Sequence, residues 1–83
     1  MKDFIEYIAK QLVDNPDKVS VEEISPDDNT IELKLRVDKN DIGKVIGKKG
    51  RTISAMRILL TAVGAKGKHR VTLEVIEWIA ESR

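Results

Sequence analysis

The chain has no cysteine, one histidine (His69), two prolines and three aromatic residues in 83 positions. Each scarcity removes a class of function. Without cysteine there is no disulfide scaffold, no thiolate metal site and no cysteine nucleophile. A single histidine cannot build a multi-histidine metal centre. Phe4, Tyr7 and Trp78 lie near the two ends, so the residues between them offer no ring on which a base could stack. Apolar runs are short as well. Phe4 to Val13 is interrupted by Glu6, Lys10 and Gln11, and nothing approaches the roughly 18 continuous apolar residues of a membrane span or the apolar stretch of a signal peptide. The expectation is a soluble cytoplasmic protein with no membrane partner, no metal and no cofactor.

What is present suffices for one domain. Hydrophobic residues make up 41% and charged residues 35% of the chain, enough for a modest core under a solvated exterior. A domain this small buries about 60–70% of its unfolded surface. The 15 bases and 14 acids nearly cancel, and taken as a total they suggest no partner. Their distribution does. Residues 1–37 carry five bases and nine acids, residues 38–70 nine bases and two acids, and residues 71–83 one base and three acids. No acid occurs between Ile42 and Leu73, which predicts a local anion-binding face on a nearly neutral molecule.

Periodicity orders the elements. Phe4, Ile5, Ile8, Ala9, Leu12 and Val13 form one stripe of an amphipathic helix, and Asn15-Pro16 ends it. Val19 to Ser25 reads as a short strand, Ser25-Pro26-Asp27-Asp28-Asn29 as a turn. Ile31, Leu33, Leu35 and Val37 alternate with polar residues as a second strand, paired to the first as a hairpin. Asp38 caps a short helix with Asp41 in its first turn, Gly47-Lys48-Lys49-Gly50 interrupts it, and a longer helix runs from Arg51 to about Val63, closed by Gly64. After a basic loop, Val71, Leu73 and Val75 make a third strand. The fold class is α+β, with order α-β-β-α-α-β and three helices on one face of a three-stranded sheet. Residues 1–37 are the helix and hairpin, 38–77 the segment carrying the glycine turn, and 78–83 a tail.

Gly47 and Gly50 need mean no more than a tight turn. Their context asks for more. Gly50 precedes a helix, whose free amides and dipole favour an anion. Lys48, Lys49 and Arg51 stand against that positive end, an arrangement that a bound polyanion would compensate. Gly43, one helical turn before Gly47, leaves a smooth surface for close approach of a backbone. Nucleotide-binding loops fail by spacing: a P-loop starting at Gly43 needs its next glycine where Lys48 stands, and a dinucleotide fingerprint needs one at Val45. No acid lies near the turn to hold Mg²⁺, which argues against phosphoryl transfer and against an enzyme. The remaining ligand is a phosphate backbone, with no small-molecule substrate.

Val45-Ile46-Gly47-Lys48-Lys49-Gly50-Arg51-Thr52-Ile53 resembles the signature of the KH (K-homology) RNA-binding domain, Ile-Gly-x-x-Gly-x-x-Ile, whose glycine loop clamps backbone nucleotides. The element order is similar to the type II form, and the length to the small stand-alone bacterial KH proteins. The resemblance implies a cleft between the two helices and the third strand. Gly47, Lys48, Lys49 and Gly50 would hold phosphates. Gly43, Lys44, Ile46, Arg51 and Ile53 would flank or line the groove, with Arg70 at the strand edge. It implies binding of single-stranded RNA, with a role as RNA chaperone or post-transcriptional regulator. Without rings between the helices and the strand, bases would rest on aliphatic side chains, so binding should be weak and undemanding of sequence. Single-stranded DNA, or a protein–protein adaptor on the same scaffold, are the alternatives.

The long helix has surplus apolar surface. At 100° per residue, Ile53, Met56, Leu59, Leu60 and Val63 span about 120° and supply the core side. Arg51, Ser54, Arg57 and Thr61 mark a polar side. Ala55, Ile58 and Ala62, adjoining Leu59, form an extra strip that either buries within the domain or meets a second subunit. The resemblance implies self-association or pairing with a larger KH-containing protein. His69 reads as a surface or phosphate-contacting residue, Trp78 as packed on the first helix or frayed, and Glu74, Glu77 and Glu81 as a solvated face.

Overall fold

A computed structural model describes residues 2–78. The order is α1 (Lys2–Leu12), β1 (Ser20–Asp27), β2 (Thr30–Val37), α2 (Ile42–Ile46), α3 (Arg51–Lys66) and β3 (Arg70–Glu77). Single 3-10 turns sit at Pro16–Lys18, Lys39–Asp41 and Lys48–Gly50. The sheet runs β1-β2-β3, antiparallel between β1 and β2 and parallel between β2 and β3. This is the expected α+β arrangement, consistent with a type II KH fold. The parallel pair requires a crossover, and residues 38–69 supply it as the α2–α3 unit that carries the glycine turn.

Alternation places the core. Leu33, Leu35 and Val37 of β2 are buried on one face, beside Val21 of β1 and Leu73 of β3. Ile5 and Ala9 of α1, Val45 of α2, and Ile53, Met56 and Leu60 of α3 join them in one cluster. The opposite face is solvated. There Glu22, Lys34 and Glu74 occupy neighbouring positions across the three strands, and Arg36 pairs with Glu22 at 3.0 Å.

Several expectations shift in physically instructive ways. β1 runs through Pro26 to Asp27 instead of turning at Ser25, with a register shift between Ile24 and Asp27. An edge strand tolerates a proline because its outer amides need no partner. The turn tightens to Asp28-Asn29, where the Asn29 amide donates to Asp27 Oδ1 at 2.7 Å, a side-chain mimic of a backbone turn. Asp38 caps as expected, accepting from the Asn40 amide at 2.8 Å. That hydrogen bond and the Lys18 ammonium at 3.2 Å hold its carboxyl below the ordinary range.

α3 does not end at Gly64 but continues to Lys66. Gly64 is buried, and a Cβ there would stand 2.6 Å from Val71 Cγ2 and 2.8 Å from the His69 carbonyl oxygen. Its glycine serves close packing of α3 on β3, and the helix stop lies beyond it. The His69 amide donates to the Gly64 carbonyl at 2.7 Å and the Lys68 amide to the Ala65 carbonyl at 3.1 Å, the paired bonds of a Schellman ending. Lys68, at φ 62°, fills the left-handed position that glycine usually takes.

Asp41 is the least expected core residue, only 1% exposed. It accepts from the Asp14 and Asn15 amides at 3.2 and 3.0 Å and from Asn15 Nδ2 at 3.1 Å. Burial pushes its carboxyl up. The hydrogen bonds from Asn15 and Asp14, with the Lys44 charge, outweigh that and hold it below the usual range. The end of α1 is thereby tied to the start of α2. Trp78 extends the ladder, its amide donating to the Val37 carbonyl at 2.7 Å, and Lys18 Nζ lies 5.7 Å from its ring centroid. Glu81 and most of the tail lie outside the described residues.

Candidate nucleic-acid interface

The turn between α2 and α3 is built from three departures from ordinary backbone within four residues. Gly47 has φ 81° and ψ 171°, Lys49 φ 57° and ψ 27°, and Gly50 φ 75° and ψ 15°. Gly47 is required twice over. Its φ disfavours a Cβ, and a Cβ would meet the Thr52 amide nitrogen at 2.8 Å. At Gly50 the backbone angle alone matters, since nothing lies within 4 Å of a Cβ there. Lys49 holds a left-handed conformation that costs a non-glycine residue about 1 kcal/mol or more. A lysine retained where glycine would be unstrained points to a use for its charge.

Gly50 caps α3 without a side-chain cap hydrogen bond; the Arg51 amide is already given to the Lys48 carbonyl, and the positive end of the helix dipole is what favours an anion there. The turn itself is fastened by Gly47 and Gly50 amides donating to the Gly43 and Gly47 carbonyls at 2.9 and 3.1 Å. Gly43 is exposed, with nothing within 4 Å of a Cβ position. Space inside the protein does not demand a glycine there, which leaves the exposed backbone open to a ligand.

The acid-free stretch behaves as its charge implies. Lys48, Lys49, Arg51, Arg57, Lys66, Lys68 and Arg70 are all exposed, and none has an ion-pair partner among the described residues. Lys44 is the exception. Its ammonium lies 2.9 Å from Asp14 and 3.8 Å from Asp41. The hydrogen bond to Asp14 and its charge, with Asp41 behind, raise its pKa. Lys44 therefore belongs to the clamp between α1 and α2 in this structure. Ile53 also moves inward: only 4% exposed, it sits in the core under the turn instead of lining a groove. Ile46 stays half-buried at the end of α2. Arg70 opens β3, its amide donating to the Asn29 carbonyl at 2.7 Å.

One residue bridges the seam between α3 and β3. Arg57 donates from Nε and Nη2 to the Leu73 carbonyl at 3.3 and 3.1 Å. The periodicity marks Arg57 only as polar. Its place on the wheel, about 40° beyond the core residue Ile53, was the available signal that it flanks the buried side and can reach the strand.

α3 turns a different flank outward. Ile58 is 68%, Leu59 48% and Val63 47% exposed, with Ala55 and Ala62 exposed among them. Leu59 and Val63, expected in the core, are outside it because Ile53, Met56, Leu60 and Gly64 already fill the contact with the sheet. The apolar strip is wider than the sequence implied. Among the described residues no helix is long and apolar enough to cross a membrane, and no cluster of three potential metal ligands occurs.

Residues 2–75 match the family model for the KH domain of KhpA/KhpB. An RNA-binding protein KhpA of Aquifex aeolicus is 52% identical over 77 residues, covering 93% of this chain and 96% of the relative. The corresponding protein of Chlamydia trachomatis is 49% identical over 77 residues, covering 93% and 97%. That of Halalkalibacterium halodurans is 46% identical over 77 residues, covering 93% and 100%. No solved structure matches the chain.

Proposed function

The chain belongs to the KhpA/KhpB family of KH-domain proteins, and from that premise we propose that it is a non-catalytic binder of single-stranded RNA. The observation that carries this reading is the glycine turn. It gathers Lys48, Lys49 and Arg51, exposed and without acidic partners among the described residues, at the start of α3, which has no side-chain cap. Relatives that span the same domain bear the name RNA-binding protein.

Phosphates sit against the two lysines at the positive end of α3, and bases lie along the seam between the helices and β3. Gly43 and Ile46 border that path. No Phe, Tyr or Trp occurs between Tyr7 and Trp78 in the sequence, so stacking adds little and recognition stays tolerant of sequence. A weak, tolerant clamp suits an RNA chaperone or a post-transcriptional regulator. The outward flank of α3 supplies the remedy for weak single-site binding. Ala55, Ile58, Leu59, Ala62 and Val63 meet the same strip of a second copy, and two linked clamps gain affinity through effective concentration.

The test is replacement of Lys48 and Lys49 by aspartate. The variant is expected to keep the parent's circular dichroism and to lose binding of single-stranded RNA. Binding that survives the double charge reversal would remove the turn from the site.

A further inference from the structure

We propose that Arg57 selects between purines in the groove, favouring guanine, which presents the adjacent acceptors O6 and N7, over adenine, which presents an amino group in place of O6. The inference rests on the RNA-binding reading and deepens it. It starts from the edge of β3. The Arg70 and Trp78 amides both bond toward β2, and in a parallel ladder alternate residues face the neighbour. Val71, Leu73 and Val75 therefore turn their amides and carbonyls outward, and among the described residues no strand lies beyond β3 in the sheet. An edge of this kind ordinarily offers a base both donors and acceptors.

Arg57 changes that offer at its midpoint. Two of its N–H groups converge on the Leu73 carbonyl, which occupies both lone pairs of that oxygen. The central acceptor of the edge is then closed to an amino group. In its place stands a guanidinium with three remaining N–H donors, exposed and unpaired with any acid among the described residues. A purine that brings two adjacent acceptors, the guanine O6/N7 pair, finds a matching fork. A purine that brings the adenine amino group in place of O6 finds donor facing donor.

Position supports the role. Arg57 lies six residues into α3, about 9 Å along the axis from the glycine turn, beyond the phosphate cradle and on the flank away from the exposed apolar strip. A charge needed only for steering would not require a fixed fork, and a cap needed only for β3 would not predict any base preference.

The experiment compares binding of the full chain to short uridine RNAs carrying a single guanosine with the same RNAs carrying a single adenosine, across a salt series. The parent is expected to prefer the first by about tenfold, the scale of one good bidentate contact. Arg57→Ala and Arg57→Lys should both bring the two RNAs within about twofold, with the salt slope of Arg57→Lys unchanged. Equal affinities for the parent, or a preference that survives in Arg57→Ala, would overturn the proposal. So would a variant whose slope falls by about 0.7 while the preference stays, the mark of a phosphate contact. Failure of the parent to bind either RNA would overturn the RNA-binding reading first, and this proposal with it.

Discussion

Two glycines one helical turn apart should respond to the same substitution with opposite signs. At Gly43 a Cβ meets nothing within 4 Å and the backbone is ordinary helix. Gly43→Ala therefore removes freedom from the unfolded chain at no steric cost and should stabilise by about 0.4–1 kcal/mol. In a domain of this size that raises Tm by roughly 2–8 °C. At Gly47 the φ of 81° and ψ of 171° lie where only glycine is comfortable, a cost of about 1–3 kcal/mol for alanine. The Cβ would also stand 2.8 Å from the Thr52 amide nitrogen and overlap its side chain, and displacing the first turn of α3 adds about 1–3 kcal/mol. Gly47→Ala should thus lose about 2–6 kcal/mol. Urea unfolding followed by circular dichroism measures both. The same proteins titrated with a fluorescent single-stranded RNA complete the test: the more stable Gly43→Ala should bind more weakly, since its methyl occupies the open approach beside the turn. Gly47→Ala as stable as the parent would refute the turn geometry. Undiminished RNA binding by Gly43→Ala would refute the role of that bare surface.

Two further outcomes follow from the charges and the exposed strip. Ile58→Asp should stay folded, because the side chain is 68% exposed, and should sediment as a monomer, while the parent is expected to sediment as a dimer; an unchanged sedimentation coefficient would contradict self-association through this strip. Asp41, held below the ordinary carboxylate range although burial opposes it, contributes stability that is present above its unfolded pKa and lost as pH falls through the folded one. Asp41→Asn should therefore be less stable than the parent near neutrality, with the difference shrinking below about pH 4; a constant difference from pH 7 to pH 3 in urea unfolding would contradict the carboxylate's role.

The sheet and helices were legible because period-2 and period-3.6 patterns are set by which side chains reach the core. The alternation of Ile31, Leu33, Leu35 and Val37 and the stripe of α1 could form few other structures. The glycine turn was legible because positive backbone angles leave a residue-type mark. What escaped were features whose cause lies far away in sequence. Gly64 reads as a helix stop until β3 is seen pressing on it, and Asp41 as a first-turn acid until the amides at 14 and 15 arrive beside it. Lys44 belonged by sequence to the basic face, yet Asp14, thirty positions earlier, draws it aside. Leu59 and Val63 were assigned to the core by hydrophobicity alone, which cannot tell an apolar face that is filled from one that is vacant. Arg57 carried no motif, and its partner is a backbone carbonyl, which sequence cannot distinguish from any other.

The central claim is that the turn around Lys48 and Lys49 holds a phosphate backbone. Its most direct test is the affinity for an unstructured single-stranded RNA measured over a range of monovalent salt. Contacts to about three to five phosphates predict a log–log slope between about −2 and −3.5. A slope near zero, with binding still present, would contradict the account.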